Sequence, residues 1–268
     1  MLSPGERRSF ILRKVFSLTG VVPIGCFLVM HLWSYSSALN GRHAFESSTL
    51  NASHSAYRWL LEALLVWLPL LFHAIYGIAI SFEARPNTRA YPYPRNWAYV
   101  LQRVTGVVVL LFIGHHAYHV PIQVALGNLD PSDVFSEMCA SLSSTVSGGI
   151  PAIAVGYLVG IGATCYHFAN GLTNFCFSWG ITTSRRASRR VAGCAGLVAI
   201  ALFALGASSV IYFATGSRVV LGWPASASSP PAIGCGDLET GKPGHTAALF
   251  SSEPSAELAA NHDAEGAR

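Results

Sequence analysis

Five long apolar runs dominate this chain, at roughly residues 16–38, 60–81, 99–125, 150–180 and 191–214. Each has about the 20 residues that an α-helix needs to cross the hydrocarbon core of a bilayer. None alternates as a barrel strand does. In lipid a backbone must satisfy its own hydrogen bonds, which for runs of this kind selects the helix. Hydrophobic residues make up 51% of the 268 and charged ones only 11%, whereas a soluble domain carries about a quarter charged. The expected fold is an all-α membrane protein with five transmembrane helices over residues 1–215. Residues 216–268 are rich in Ala, Ser, Pro and Gly without periodicity, the composition of a disordered tail.

The first run follows Arg7, Arg8, Arg13 and Lys14 as a signal peptide would, but it is long, contains Pro23 and His31, and lacks a clear cleavage motif. It reads as a retained helix. With the N-terminus inside, those four cations and Arg85, Arg89, Arg95, Arg185, Arg186, Arg189 and Arg190 lie on the inner side. Arg42, Arg58, Arg218, Lys242 and Arg268 lie outside, and Arg103 sits at the inner end of the third helix. The inner excess is the positive-inside pattern, so the net charge of +4 reports topology rather than nucleic-acid binding. Trp59, Trp97 and Trp179 stand at run ends, as interfacial aromatics do. The six cysteines form no CxxC and no CxxCH, which argues against covalently attached haem and against zinc or iron–sulfur sites. Cys26, Cys165, Cys176 and Cys194 fall in helices and read as small core residues.

An internal repeat organises the first four helices. FSLTGVV (16–22) in the first is echoed by QRVTGVV (102–108) in the third, and HAIYG (73–77) in the second by HFANG (167–171) in the fourth. The fifth helix has no histidine and stands outside the repeat. Functional sites of repeated membrane folds tend to lie between the copies.

Ionisable groups within membrane helices are costly and are functional candidates by default. A lone one is as readily a neutral imidazole bonded to a neighbouring carbonyl, but here one falls on each of four helices. Counted from the outer helix ends, His31 and His116 lie nearer the outside and His73 and His167 nearer the inside. The two levels differ by roughly 9 Å at helical rise. Each pair joins corresponding helices of the two copies. Two imidazoles facing each other at one depth can hold an iron porphyrin edge-on, and two pairs would hold two haems stacked across the bilayer. Bis-histidine ligation leaves no open position, which favours electron transfer over oxygen chemistry. Gly20, Gly25, Gly77, Gly106, Gly114, Gly171 and the Gly156, Gly160 and Gly162 cluster would give a flat macrocycle room, or serve ordinary small-residue packing. Within LLFIGHHAYHV (110–120), repeat register selects His116. His115 is turned about 100° away and reads as a packed core histidine, with a rival reading as the ligand. His119, near the outer end, reads as a quinone or propionate contact.

The strings FLVMHL, LPLLFHAIYG, RNWAYVLQRVTG and YHFANGL closely resemble the five-helix, dihaem cytochrome b subunit of succinate:quinone oxidoreductases, the b558 family. The resemblance covers roughly residues 8–214. It implies a subunit of the bacterial inner (cytoplasmic) membrane that anchors a flavoprotein and an iron–sulfur protein on the inner face. It implies two haem b groups, an inner one held by His73 and His167 and an outer one held by His31 and His116. Electrons from succinate would pass through both to menaquinone near the outer haem, with fumarate reductases of the same build running in reverse. Glu46, in HAFE, resembles a glutamate that serves the quinone site of related fumarate reductases, and is equally readable as a solvated loop carboxylate. Arg103 is placed to pair with a haem propionate or to anchor the helix end. Phe16 departs from the pattern, since some members have a histidine there.

The chain has no flavin fingerprint and no cysteine cluster, so dicarboxylate chemistry would belong to partner chains. The alternative is a haem-free membrane anchor or a transporter whose histidines make structural contacts or a proton path. A transporter more often carries broken helices with acids at the midplane, and these runs hold only Glu62, near one end.

Overall fold

The computed structural model describes residues 3–50, 57–146, 149–218 and Cys235. The side chain of Trp59 and nearly all of the expected tail lie outside the described residues. Regular structure among the described residues is helical, apart from a single bridge between Val146 and Ile150.

Helix α1 (Pro4–Val21) begins with a capping box, in which the Ser3 hydroxyl accepts from the Glu6 amide and the Glu6 carboxylate accepts from the Ser3 amide. Such reciprocal bonds satisfy two donors that a helix start leaves over. Pro23 lacks an N–H and breaks the ladder, so α2 (Pro23–Ser36) continues the same span at a bend centred on Val22. A 3₁₀ turn at Ser37–Asn40 and Gly41, at φ 93°, turn the chain into α3 (Arg42–Leu50). The left-handed conformation suits glycine because it has no Cβ to clash.

The second span joins α4 (Arg58–Glu62), a π-helical turn at Ala63–Trp67 and α5 (Leu68–Phe82). The Leu68 amide reaches back to the carbonyl of Ala63, and Pro69 can offer no amide to restore the α-register. The third span repeats the device. Helix α6 (Pro94–Ala117) widens into a π-turn at Tyr118–Ile122 that contains Pro121, and α7 (Gln123–Ala125) ends it. Pro131–Asp133 form a 3₁₀ turn before α8 (Val134–Ser143). The last spans are α9 (Ala152–Ser178) and α10 (Arg185–Thr215), the latter closed by Gly216 at φ 69°.

Among the described residues, five helical stretches are long and apolar enough to cross a membrane: Pro4–Asn40, Leu60–Phe82, Pro94–Ala125, Ala152–Ser178 and Arg185–Thr215. These are the five expected spans; the first, third and fifth begin earlier than the apolar runs, and the fourth is shorter than its run by two residues at each end. Their outward faces are apolar, with Leu111 70%, Leu197 69% and Ile200 68% exposed, as lipid solvation allows and water does not. Helix α9 is central, packing against α6, α10 and α1, while α10 also packs on α2 and α8 and α5 packs on α1. Gly206 makes the approach of α10 to α9 and α2 possible, since a Cβ there would lie 2.9 Å from Ile161 and 3.2 Å from Leu32.

Among the described residues, a well-buried cluster lies at the end of the bundle formed by α3 and α8. Phe45 of α3, Phe135 of α8 and Phe213 of α10 meet edge-to-face at 5.3–5.9 Å between ring centroids. Leu39, Met138 and Leu142 complete a cap over that end of the bundle. Of the cysteines expected in the core only Cys165 is buried. Cys176 is half-buried, and Cys26 and Cys194 are exposed, because a thiol on the lipid-facing side of a span meets no desolvation cost. Cys139 of α8 is bonded to Cys235 in a disulfide.

Candidate functional site

The four helix histidines assemble in the two expected pairs. His31 of α2 faces His116 of α6 with ring centroids 5.7 Å apart and planes at 75°. His73 of α5 faces His167 of α9 at 6.3 Å and 82°. Each pair therefore joins corresponding helices of the two repeat copies.

The two pairs are held differently. Nδ1 of His73 lies 3.1 Å from the carbonyl oxygen of Phe16, and Nδ1 of His167 lies 3.1 Å from the carbonyl oxygen of Gln102. A carbonyl can only accept, so the proton of both rings is on Nδ1 and Nε2 keeps its lone pair. The Phe16 ring also stacks on His73 at 4.2 Å and 12°. In the outer pair, Nδ1 of His116 lies 3.2 Å from the Tyr157 hydroxyl. His31 is flanked by the rings of Phe27 and Tyr35.

Two imidazoles that reach one first-row metal from opposite sides, each nitrogen about 2.0 Å from it, have centroids roughly 6 Å apart. Both pairs meet that separation. Arg103 adds a second sign of fit. Its Nη1 donates to the Tyr99 carbonyl and its guanidinium lies over the Tyr99 ring at 3.6 Å, yet its buried Nε has no partner among the described residues. A buried guanidinium nitrogen of this kind is matched by a carboxylate.

The remaining expected residues fall elsewhere. His115 is exposed rather than packed in the core. The turn that separates it from His116 sets its ring 4.4 Å from that of His119 and edge-on to Tyr157 of α9 at 6.3 Å. His119 is exposed on the π-turn. Glu46 is on α3 and not in a loop. Its carboxylate accepts from Arg42 Nε at 2.6 Å, while Arg42 Nη1 donates to the Ser136 hydroxyl at 2.8 Å and Nη2 to the Ser132 carbonyl at 2.9 Å. The loop they grip is itself braced, because the Ser132 hydroxyl and amide both bond Asp130 and hold its carboxyl below the usual range. Arg42, held by Glu46, thus ties α3 to the start of α8. Of the glycines expected to make room, Gly20, Gly25, Gly106 and Gly160 face a ring closely, whereas Gly114 and Gly156 meet nothing within 4 Å.

Tyr157 and the carbonyls of Phe16 and Gln102 went unnoticed in the sequence. The two carbonyls had a signal, since both residues stand three before the Thr-Gly of the repeat. Tyr157 had none, being an ordinary aromatic in an apolar run.

Five membrane-crossing helices, with imidazoles paired across four of them, define a multi-pass membrane protein with histidine pairs between its helices. Comparison with known proteins takes this further. The family described as succinate dehydrogenase/fumarate reductase transmembrane subunit matches residues 84–207. The succinate dehydrogenase cytochrome b558 subunit of Bacillus subtilis (strain 168) is 36% identical over 206 residues, covering 77% of this chain and 98% of that protein. No solved structure matches. The chain belongs to the transmembrane subunits of the succinate dehydrogenase/fumarate reductase family.

Proposed function

We propose that the protein is the cytochrome b anchor of a succinate:quinone oxidoreductase and carries electrons between soluble partner subunits and menaquinone through two b haems. The observation that carries this is the pair of facing imidazole sets, with centroids 5.7 and 6.3 Å apart on four different spans. His73 and His167 hold the inner haem, and His31 and His116 the outer one. Arg103, with its unpartnered Nε, meets a propionate. A haem ligated in this way supplies one-electron transfer with no open position for oxygen. The chain's own residues hold the ligands, exclude water from between the spans, and fix the order of the two sites in depth.

The N-terminus lies on the cytoplasmic side of a bacterial inner membrane and the C-terminus outside. Two independent features support this orientation. The cations cluster at the end that carries Arg7, Arg8, Arg85, Arg89 and Arg185. The Cys139–Cys235 disulfide sits at the opposite end, and disulfides persist on the oxidising side of a membrane. The flavoprotein and iron–sulfur subunits dock on the inner face, and quinone reacts at the outer end near His31, His116, His119 and Glu46.

The test is pyridine haemochrome quantitation of the purified complex, with two non-covalent haems per chain expected. His73→Ala or His167→Ala removes the inner haem and blocks electron entry from the soluble subunits. A wild-type protein with no haem α band would return the chain to the reading of a plain anchor.

A further inference from the structure

The threonine, glycine and histidine positions that repeat between the two halves meet one another, or one shared carbonyl, in each half. In the first half, the Phe16 carbonyl accepts from His73 Nδ1, and the Thr19 hydroxyl donates to that same carbonyl at 2.9 Å. A Cβ on Gly20 would lie 2.6 Å from His73 Cε1, and one on Gly77 would lie 3.4 Å from the Phe16 ring. The second half repeats this in register. The Gln102 carbonyl accepts from His167 Nδ1, and the Thr105 hydroxyl, which lies 2.7 Å from the Leu101 carbonyl, is also 3.3 Å from the Gln102 carbonyl and 3.4 Å from the same Nδ1. A Cβ on Gly106 would lie 3.2 Å from His167 Cε1, and one on Gly171 would lie 3.6 Å from the Gln102 side chain. Gln102 adds a lock that phenylalanine cannot. Its amide donates to the His167 carbonyl at 3.1 Å and accepts from Asn170 at 2.7 Å. The outer pair has no counterpart, since His116 rests on a side-chain hydroxyl.

We propose that the two repeated strings are an imidazole clamp, and that Gly20 and Gly106 are positioning residues that set the ring planes of His73 and His167. The carbonyl three residues before each Thr-Gly fixes which nitrogen bears the proton. The glycine lets the ring lie against the helix backbone, and the Thr hydroxyl blocks rotation away from the carbonyl. Each ring is locked to the first helix of its own half, so the 82° between the planes is fixed by the packing of the two halves rather than by the group bound between them. The repeat is in this sense a binding device, and its residues act through the histidines. This inference rests on the assignment of His73 and His167 to the inner haem.

The experiment uses the intact membrane complex carrying Gly20→Ala, Gly106→Ala or Thr105→Val, with Gly193→Ala as control. Gly193 lies on α10 with nothing within 4 Å of its Cβ position. The readouts are haem per chain, the electron paramagnetic resonance g values of each low-spin haem, and the two midpoint potentials. Gly20→Ala is expected to displace the His73 ring, shifting the inner haem's largest g value or cutting its affinity about 10–100-fold, as loss of a ligand's supporting contacts does. Gly106→Ala, with its longer approach, shifts the same signal less, and Thr105→Val moves the inner potential. The outer haem and the Gly193→Ala control stay as in the wild type. If Gly20→Ala fails to assemble, Gly106→Ala and Thr105→Val decide, because both leave the helix contacts in place. Wild-type inner g values and potential in these variants, or equal changes at both haems, overturn the clamp. A wild type without an inner haem overturns the underlying assignment instead.

Discussion

Tyr157→Phe isolates one hydrogen bond on the outer pair. The Tyr157 hydroxyl is 3.2 Å from His116 Nδ1 and the residue is buried, so the variant removes one oxygen and keeps the ring that packs on Phe112 at 5.3 Å. With Nε2 on a metal, Nδ1 carries the proton and the phenol oxygen accepts it. Such a bond makes the imidazole a more basic ligand, which favours the oxidised iron. A buried hydrogen bond is worth about 0.5–1.5 kcal/mol net, and only its difference between the two oxidation states moves a potential. For one electron a tenfold change, about 1.4 kcal/mol, corresponds to about 59 mV. A differential of about 0.5–1 kcal/mol therefore raises the outer potential by roughly 20–40 mV. Redox titration of the α band resolves the two haems. A fall in the outer potential, or a rise confined to the inner haem, would refute the reasoning.

Glu46→Gln keeps a hydrogen-bond acceptor for Arg42 and so leaves the bracing of α3 against Ser132 and Ser136 largely intact, at a cost of about 1 kcal/mol or less for a half-exposed pair. Quinone-linked turnover is expected to slow while both haems and dye-linked succinate oxidation remain. Normal quinone activity would leave Glu46 only its structural tie to Arg42. Gly206→Ala pushes a methyl against Ile161 and Leu32 and, as overpacking does, costs about 1–3 kcal/mol. It should lower the temperature at which the outer haem band is lost, and unchanged thermal loss would mean that α10 can slide on α9. Thiol alkylation of the unfolded, unreduced chain should label Cys26, Cys165, Cys176 and Cys194, with Cys139 and Cys235 labelled only after reduction. Full labelling without reductant would remove the disulfide from the case for orientation.

Helix formation in lipid is a local matter, because each span satisfies its own backbone, and for that reason the five spans were legible residue by residue. The pairing of His31 with His116 and of His73 with His167 was legible too, because duplicated sequence imposes duplicated depth. Contacts between helices were not legible, because lipid-facing and core-facing positions are both apolar and no pattern marks the turn of one helix against another. Only the packing of α6 on α9 sent His115 outward and brought Tyr157 to His116. Only the fold over the outer end joined Arg42 to Ser132 and Ser136, 90 and 94 residues away. The repeat itself divides the same way. Its strings could be read in the chain, but that Gly20 and Gly106 face the rings of His73 and His167 depends on a close approach between helices, which tertiary structure alone decides.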